Sequence, residues 1–339
     1  MNIIKTNSFF LVLIISLAIH GCAGIYSVVE FEVLEPATVS FPNHVGQLLI
    51  LNRAPVSLNV IGEENRNDLS KEQLVMVDTT VTNSTFRGLL KVLQQSPIDR
   101  FHTPMWLSER RADTSSLDDL VLTKREVNTL SDRYGADAVI SLELYTVKLD
   151  EHQDFYSNAP EIPRTGYYLV SNKMQWNIYL PDSPRAFDTY TTVDTLYFPY
   201  LLDGQTQPTP NGLNMIQELF YESGMKYGRY LVPIWTHASR VLYKGKGDSL
   251  KRASKYTSQG EWDQAHVIWK DLTESDDSTV ASKAYHNLAI YYELEDNLDS
   301  ASLLLDRALM LDTLEVVRLY REELDIRILN RNEVLQQVR

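Results

Sequence analysis

The presence of a single cysteine, Cys22, is the feature that most constrains how this chain can fold. One thiol forms no disulfide within the chain and no multi-thiolate metal site, so the fold must be held by packing. Residues 22–339 are long enough for two domains, and each can bury a core of its own. We therefore expect two packed domains without covalent cross-links.

The segment before Cys22 has the composition of an export signal. Lys5 precedes an apolar run over residues 9–19, which is too short to cross a bilayer comfortably. The segment resembles a bacterial lipoprotein signal, in which the cysteine becomes the lipid-modified amino terminus after cleavage. This resemblance predicts removal of residues 1–21 and attachment to the membrane through lipid on Cys22. His20 is unusual in such signals, and an ordinary secretory signal with a leftover thiol is the alternative.

The net charge of the chain limits the kinds of molecule that it can bind. The formal net charge is -13, and a surface of that sign repels phosphate backbones and anionic lipid headgroups. After residue 21 no apolar stretch is long enough to cross a membrane. We therefore expect no nucleic-acid partner, and we expect membrane association to depend on the lipid.

The carboxyl-terminal third carries a repeated helical pattern. Large and small residues alternate at the spacing of two facing helices, and a looser copy precedes them. The second copy comprises Tyr285, Leu288, Ala289, Tyr292, Leu298, Ala301, Leu305 and Ala308, and the first comprises Ala253, Tyr256, Gly260, Trp262, Ala265 and Trp269. The pattern resembles a pair of tetratricopeptide repeats, with a last helix from about Leu314 to Gln337 as its cap. This predicts an all-α domain over residues 248–339.

Residues 22–240 show strands that alternate with helices, which predicts a mixed α/β domain. A strand at 45–53, which contains the apolar run Leu48-Leu49-Ile50-Leu51, precedes a helix at about 83–95 and a second helix at 123–134. Thr123 and Glu126 have capping-box spacing, and Gly135 ends the second helix before the next strand. Strand, helix and the Tyr134–Val139 turn together resemble the small α/β domain of the curli-secretion lipoprotein and of the Tol propeller protein.

Two further features are predicted within this region. Apolar and polar residues alternate on both sides of a Pro-Asp-Ser-Pro turn, which predicts an antiparallel hairpin over about 166–198. A helix from Leu213 to Leu231 carries Ser223, Gly224 and Gly228 on its apolar face, which permits close approach of a neighbouring element. The predicted fold class is thus α+β, a mixed α/β sheet domain followed by an all-α tetratricopeptide-like domain.

Taken as a whole, the chain resembles an uncharacterised family of Bacteroidetes lipoproteins. The resemblance rests on Pro36-Ala37, Phe41-Pro42, Tyr134–Ile140, Trp176–Tyr179 and Pro233–Trp235. It implies an architecture and a cell-envelope address but no activity.

Motifs for catalysis or metal binding are absent from the sequence. It contains no His-Glu-x-x-His and no Gly-x-Ser-x-Gly motif, and no two histidines have the spacing of a helical metal site. Gly245 and Gly247 lie in a lysine-containing junction without the pattern of a phosphate-binding loop. We therefore predict no catalytic residue, no metal, no cofactor and no enzymatic activity.

Two groups of side chains are candidates for binding. Paired helices form a concave surface suited to a peptide or helix, and its predicted lining is Tyr285, Asn287, Tyr292, Trp262 and Trp269. The predicted function is a non-enzymatic scaffold or adaptor, anchored by lipid to the periplasmic face of the outer membrane, to which Ala23 permits sorting. The alternative is a glycan- or peptide-binding protein, or an enzyme, that uses Trp176, Tyr179 and Tyr190 on the hairpin.

Overall fold

The computed structural model describes residues 25–55, 70–109, 121–153, 165–201, 211–245 and 247–338. The signal segment and Cys22 lie outside these residues. The chain divides into two compact units. The α/β unit comprises Pro36–Ile234 and Val334–Arg339, and the helical unit comprises the residues up to Glu35 and Trp235–Glu333.

A five-stranded mixed sheet in the order β3-β2-β4-β5-β6 forms the centre of the α/β unit. Its strands are β2 (Leu48–Asn52), β3 (Met105–Ser108), β4 (Ala138–Gln153), β5 (Thr165–Tyr179) and β6 (Asp188–Leu201). β2 runs parallel to both β3 and β4, whereas β4, β5 and β6 are antiparallel neighbours. Every residue of β2 is buried, because a central parallel strand is covered on both faces.

Two helices pack closely on one face of this sheet. They are α1 (Lys71–Gln95) and α3 (Gly212–Leu231). A Cβ added at Gly88 would lie 2.0 Å from a backbone oxygen of α3, and one added at Gly224 would lie 2.1 Å from a backbone oxygen of α1. The predicted close approach at the small residues of α3 is therefore confirmed, and the neighbouring element is α1.

A third helix, α2 (Lys124–Tyr134), lies on the opposite face. Its Val127 and Leu130 pack with Leu49 and Leu51, whereas the alternate residues of β2 belong to the core beneath α1 and α3. The predicted capping box is present, since the side chains of Thr123 and Glu126 each accept a hydrogen bond from the other's backbone N–H. Gly135 ends the helix with φ of 63°, as its sequence position predicts.

Within the described residues, the helical unit contains five helices and a two-stranded sheet. The helices are α4 (Asp248–Ser258), α5 (Trp262–Leu272), α6 (Ser278–Leu294), α7 (Leu298–Leu311) and α8 (Glu315–Gln337). The predicted fold class, a mixed α/β sheet region followed by an all-helical region, is confirmed. Across the described ranges, no helix combines the length and the apolar character that crossing a membrane requires.

The two units are each built from separate stretches of the chain, whereas the predicted domains, 22–240 and 248–339, are continuous. β1 (Tyr26–Glu35) pairs with β7 (Ile234–Tyr243) in the two-stranded sheet, and β1 and nearly all of β7 belong to the helical unit. At the carboxyl end, the Gln337 side chain belongs to the α/β unit, where it exchanges hydrogen bonds of 2.9 and 2.8 Å with the backbone of Ala37. The sequence pattern does not contain this pairing, because strand pairing is a long-range property.

A buried charge network fixes the helical unit internally. Glu293 of α6 is fully buried, and its carboxylate accepts from Arg240 of β7 at 2.9 Å through each oxygen. Arg327 and Tyr320 of α8 reach the same carboxylate at 2.7 Å each. Phe31 of β1 lies against both guanidinium groups, 5.6 and 5.3 Å from its ring centre. The network therefore links the two strands to α6 and α8.

Candidate functional site

The aromatic residues that were predicted to form a ligand site on the hairpin lie in the core. Trp176 is fully buried and stacks on Tyr227 of α3, with ring centres 4.3 Å apart. Tyr190 packs against Tyr227 and Tyr230. Tyr179 is 1% exposed. The expectation that Trp176, Tyr179 and Tyr190 present an open face is thus corrected, because these strand positions point toward the helices.

The predicted partner-binding residues of the helical unit also differ from an open surface, since some are buried and the others are half-buried. Asn287 is fully buried and Trp269 is 1% exposed, so neither lines an open surface. Tyr285 and Tyr292 are half-buried and pack against the helical core. Trp262 is half-buried at the start of α5, and its ring lines a cavity.

Asn287 completes the backbone pairing of β7. Its side-chain oxygen accepts from the N–H of Tyr243 and its amide donates to the carbonyl of Tyr243, both at 2.9 Å. The amide therefore takes the place of a neighbouring strand. This local bonding explains why a polar residue is buried at this position.

His286 continues the same contact between α6 and β7. Its Nε2 donates to the carbonyl of Val241 at 2.7 Å, since a carbonyl oxygen only accepts. Nδ1 is then a buried acceptor without a hydrogen-bond partner among the residues that the structure describes. Burial lowers the pKa of His286 to about 4, and the hydrogen bond to Val241 only partly opposes this shift. The imidazole is consequently neutral at physiological pH.

The outer edge of β1 is open in the part of the chain that the structure describes. Lys244, just past β7, donates its backbone N–H at 2.7 Å to the carbonyl of Ile25, just before β1, so the two strands run antiparallel. β7 is the single strand paired with β1 among the described residues. An open strand edge presents backbone N–H and C=O groups to which another chain can add.

A cavity of about 590 Å³ is lined by residues of β1, by the end of β7 and by α4. Its lining comprises Ser27, Val28, Val29, Glu30, Leu242, Lys244, Lys251, Ser254, Lys255, Thr257, Ser258 and Trp262. Successive side chains of a strand point to opposite faces. Four consecutive residues of β1 line the cavity. The cavity therefore reaches the edge of the strand as well as one of its faces. All the lining residues belong to the helical unit.

The cavity is basic in a chain that is strongly acidic. Lys244, Lys251 and Lys255 form no ion pair within the described ranges, and Glu30 is the single carboxylate in the lining. Lys251 and Lys255 lie one turn apart on α4, and like charges at that spacing destabilise a helix slightly. Lys255 lies in the last turn of α4, where the helix dipole favours a cation, and both lysines add positive charge to the cavity. Trp262 adds an apolar wall.

Sequence reasoning missed this cavity although a signal was present. Lys244, Lys251 and Lys255 follow one another closely in a chain of net charge -13. The junction around Gly245 was interpreted as a flexible linker, so its lysines were not connected with α4. The contribution of β1 was invisible, because its pairing with β7 is a long-range contact. No group of three metal-ligating side chains occurs among the described residues.

Two family models match this chain. The first is described as a domain of unknown function (DUF8603) and matches residues 45–243. The second is also described as a domain of unknown function (DUF6340) and matches residues 251–325. No curated protein matches the chain.

Solved structures with some likeness include two bacterial proteins. One is a neuraminyllactose-binding hemagglutinin homolog from Helicobacter pylori, with 10% identity and a TM-score of 0.29 over 70% of this chain and 99% of that chain. The other is the rare lipoprotein B from Shewanella oneidensis, with 10% identity and a TM-score of 0.19 over 63% of this chain and 97% of that chain. Scores this low carry no argument about the present chain.

Proposed function

We propose that this chain, which belongs to the family described as a domain of unknown function (DUF8603), is a non-enzymatic, lipid-anchored adaptor of the cell envelope. The observation that carries the proposal is the lysine-lined cavity at the open edge of β1. Its occupant is an extended, acidic segment of a partner protein. The helical unit thus acts as the recruiting part of the molecule.

The proposed binding mode uses two kinds of contact. Main-chain groups of the partner pair with the open edge of β1, which gives affinity without requiring a particular sequence. Carboxylates of the partner meet Lys244, Lys251 and Lys255, which select an acidic segment. Trp262 accepts an apolar side chain between those carboxylates. This mode differs from the predicted concave helix surface, because it places the partner along a strand.

Crosslinking in living cells tests this mode. We expect partners captured by the full chain to be lost from Lys251→Glu/Lys255→Glu and retained by Lys173→Glu/Lys270→Glu. The control pair reverses the same number of charges at exposed positions outside the cavity. Equal capture by both double variants would exclude the cavity as the site.

A purified system identifies the chemistry. A labelled peptide of alternating Glu and Val is the acidic, strand-forming probe, and its Lys-Val counterpart is the reference. We expect saturable binding of the acidic peptide alone, and we expect its affinity to fall with added salt. Binding of both peptides with equal affinity would indicate edge pairing without selection by the lysines.

The proposed cellular location of the protein rests on the sequence. The run before Cys22 supports lipid attachment, and Ala23 after it supports sorting to the outer membrane, with the chain on the periplasmic face. A relationship to Bacteroidetes lipoproteins and a tetratricopeptide-like character of α4 to α8 belong to the same proposal. We expect Cys22→Ala to leave the membrane fraction, and retention there would exclude a lipid anchor at Cys22.

A second candidate function, glycan binding, is favoured by a different set of aromatic rings. His152, Tyr167 and Tyr197 stack across β4, β5 and β6, with neighbouring ring centres 4.9 and 4.8 Å apart. Tyr197 is 57% exposed, so this stack lies on the outer face of the sheet. Glycan-array binding that is lost in Tyr197→Ala and retained in Tyr190→Phe would support this candidate.

A further inference from the structure

A second cavity, of about 420 Å³, lies at the carboxyl ends of the parallel strands of the α/β unit. Arg53 directly follows β2, and Glu109 directly follows β3. Glu143 lies just beyond the residues of β4 that pair with β2. In open α/β sheets, ligands bind outside this edge of the parallel strands. The location alone therefore makes the cavity a candidate for a small ligand.

A buried ion pair forms the floor of this cavity. Arg53 is 9% exposed and Glu143 is fully buried. Nη1 of Arg53 donates to both carboxylate oxygens of Glu143, at 3.0 and 3.2 Å. The hydroxyl of Tyr179 donates to the same carboxylate at 3.2 Å and accepts from the backbone N–H of Leu122 at 3.0 Å. Glu143 therefore holds Arg53 in place and is itself held by the hydroxyl of Tyr179.

The guanidinium of Arg53 retains unused donors. Its Nε and Nη2 form no hydrogen bond within the described residues, although the side chain lines the cavity. A buried ion pair costs desolvation and is weak evidence for a role in stability. An arginine that lines a cavity and is fixed through one nitrogen keeps further N–H groups with which it can bind an acceptor.

The wall of the cavity adds two more guanidinium groups. Arg125, Thr129 and Arg133 occur at four-residue intervals on one face of α2, and all three are exposed and line the cavity. Of the carboxylates in the lining, Glu126 is engaged by the backbone N–H and the hydroxyl of Thr123. Glu109 is the remaining acidic side chain. The groups left to face a ligand are therefore mainly cationic donors.

We propose that this cavity binds a small molecule through an oxyanion, either a carboxylate or a phosphate. Arg53 donates from the floor while Arg125 and Arg133 donate from the wall, since the planar guanidinium matches the geometry of both anions. The hydroxyl of Thr129 donates to the backbone carbonyl of Arg125 at 2.8 Å, so the donors of the wall are the two arginines. This site belongs to the α/β unit and shares no residue with the lysine-lined cavity.

Calorimetric titration of the purified chain with inorganic phosphate and, separately, with succinate tests the proposal. We expect saturable binding of one probe or both with a millimolar or lower Kd. The probe that binds more tightly identifies the oxyanion. If neither probe gives saturable binding, the proposal is overturned.

Charge-removing variants locate the site. We expect Arg125→Gln/Arg133→Gln to weaken binding at least tenfold without loss of folding, because both side chains are exposed. The matched control Arg185→Gln/Arg307→Gln removes the same charge from exposed positions outside the cavity and should bind as the unmodified chain does. Equal weakening by the two double variants would show a general charge effect and would overturn the assigned site.

Arg53 requires a separate variant because its removal takes a cation away from the buried Glu143. Arg53→Lys keeps the charge but lacks the planar fork, so we expect binding to weaken while the circular dichroism spectrum is retained. Lys251→Glu/Lys255→Glu should leave phosphate and succinate binding unchanged. Failure of peptide binding at the lysine-lined cavity is thereby distinguishable from failure of oxyanion binding here.

Discussion

Glu143 in the α/β unit and Glu293 in the helical unit are both fully buried, and each is paired with an arginine that is itself almost buried. The side chain of Arg53 is 10% exposed and that of Arg240 is 9% exposed, so burial does not distinguish the two pairs. They differ in how completely the arginine is bonded. Comparing them distinguishes an ion pair that stabilises the fold from one whose arginine can also bind a ligand.

The pair in the helical unit is saturated. Nε and Nη2 of Arg240 bond to Glu293, and Nη1 bonds to the carbonyl of Ser239 at 3.0 Å and to Glu323 at 2.9 Å. Arg53, by contrast, uses Nη1 alone. All three guanidinium nitrogens of Arg240 are therefore engaged, whereas two nitrogens of Arg53 form no hydrogen bond to a described residue. We infer that the first pair fixes the packing and that the second serves a ligand.

The largest effect is expected at Glu293. Glu293→Gln removes the carboxylate that neutralises Arg240 and Arg327, and breaking a buried pair on one side costs about 3–5 kcal/mol. Urea unfolding should show this loss, and hydrogen exchange should localise it to α6 and α8. The exposed Glu323 is the control, since Glu323→Gln should cost about 1 kcal/mol or less. Equal costs would show that saturation does not determine the contribution.

The next effect is an acid sensitivity at His286. The pKa of this group falls from 6.5 in the unfolded chain to about 4 in the fold, because burial disfavours the cation. The unfolded state therefore binds more protons between those values. Stability is fully present above pH 6.5 and decreases as the pH falls to 4, by about 3 kcal/mol.

Denaturant titrations from pH 7 to pH 4 measure this dependence. His286→Gln keeps a donor for Val241 but does not titrate, so we expect the pH dependence to be weaker in the variant. Parallel curves for the two chains would mean that another group causes the acid sensitivity.

A smaller loss is expected at Glu143. Glu143→Gln leaves Arg53 without its anion, but the unused nitrogens line a cavity that water can enter. We expect a cost of about 2 kcal/mol, less than at Glu293 because the cation retains access to solvent. Urea unfolding checks the value. A cost equal to that of Glu293→Gln would break the distinction between the saturated and the unsaturated pair.

Sequence patterns predicted the parts of the fold that depend on near neighbours. The Thr123 and Glu126 cap, the stop at Gly135 and the apolar run of β2 are local signals, and all three are present. The small residues of α3 are local too, since they lie on one helix face. Such features need no knowledge of what lies elsewhere in the chain.

The features missed by the sequence analysis depend on distant partners. β1 pairs with β7, although nearly the whole α/β unit separates the two strands in the sequence. The helical unit therefore includes residues from both sides of the α/β unit. The aromatic residues Trp176 and Tyr190 alternate with polar residues, but alternation does not say which face the helices cover. Asn287 was interpreted as a surface residue because its burial depends on the open backbone of β7. Both cavities likewise combine residues from separate elements.

The smallest effect is expected at Asp137. Unlike Glu143 and Glu293, this carboxylate is half-buried and accepts hydrogen bonds from the backbone rather than from an arginine. Its Oδ2 accepts from the N–H groups of Gly46 and Gln47 at 2.8 Å each, and these bonds lower its pKa below the usual 3.8. Asp137→Asn should cost about 1 kcal/mol at neutral pH. A depressed carboxyl pKa contributes stability above the unfolded value and loses it as the pH falls, so the two urea-unfolding curves should converge in acid. The exposed Asp132→Asn is the control, and a persistent gap at low pH would show that the loss is not due to the charge.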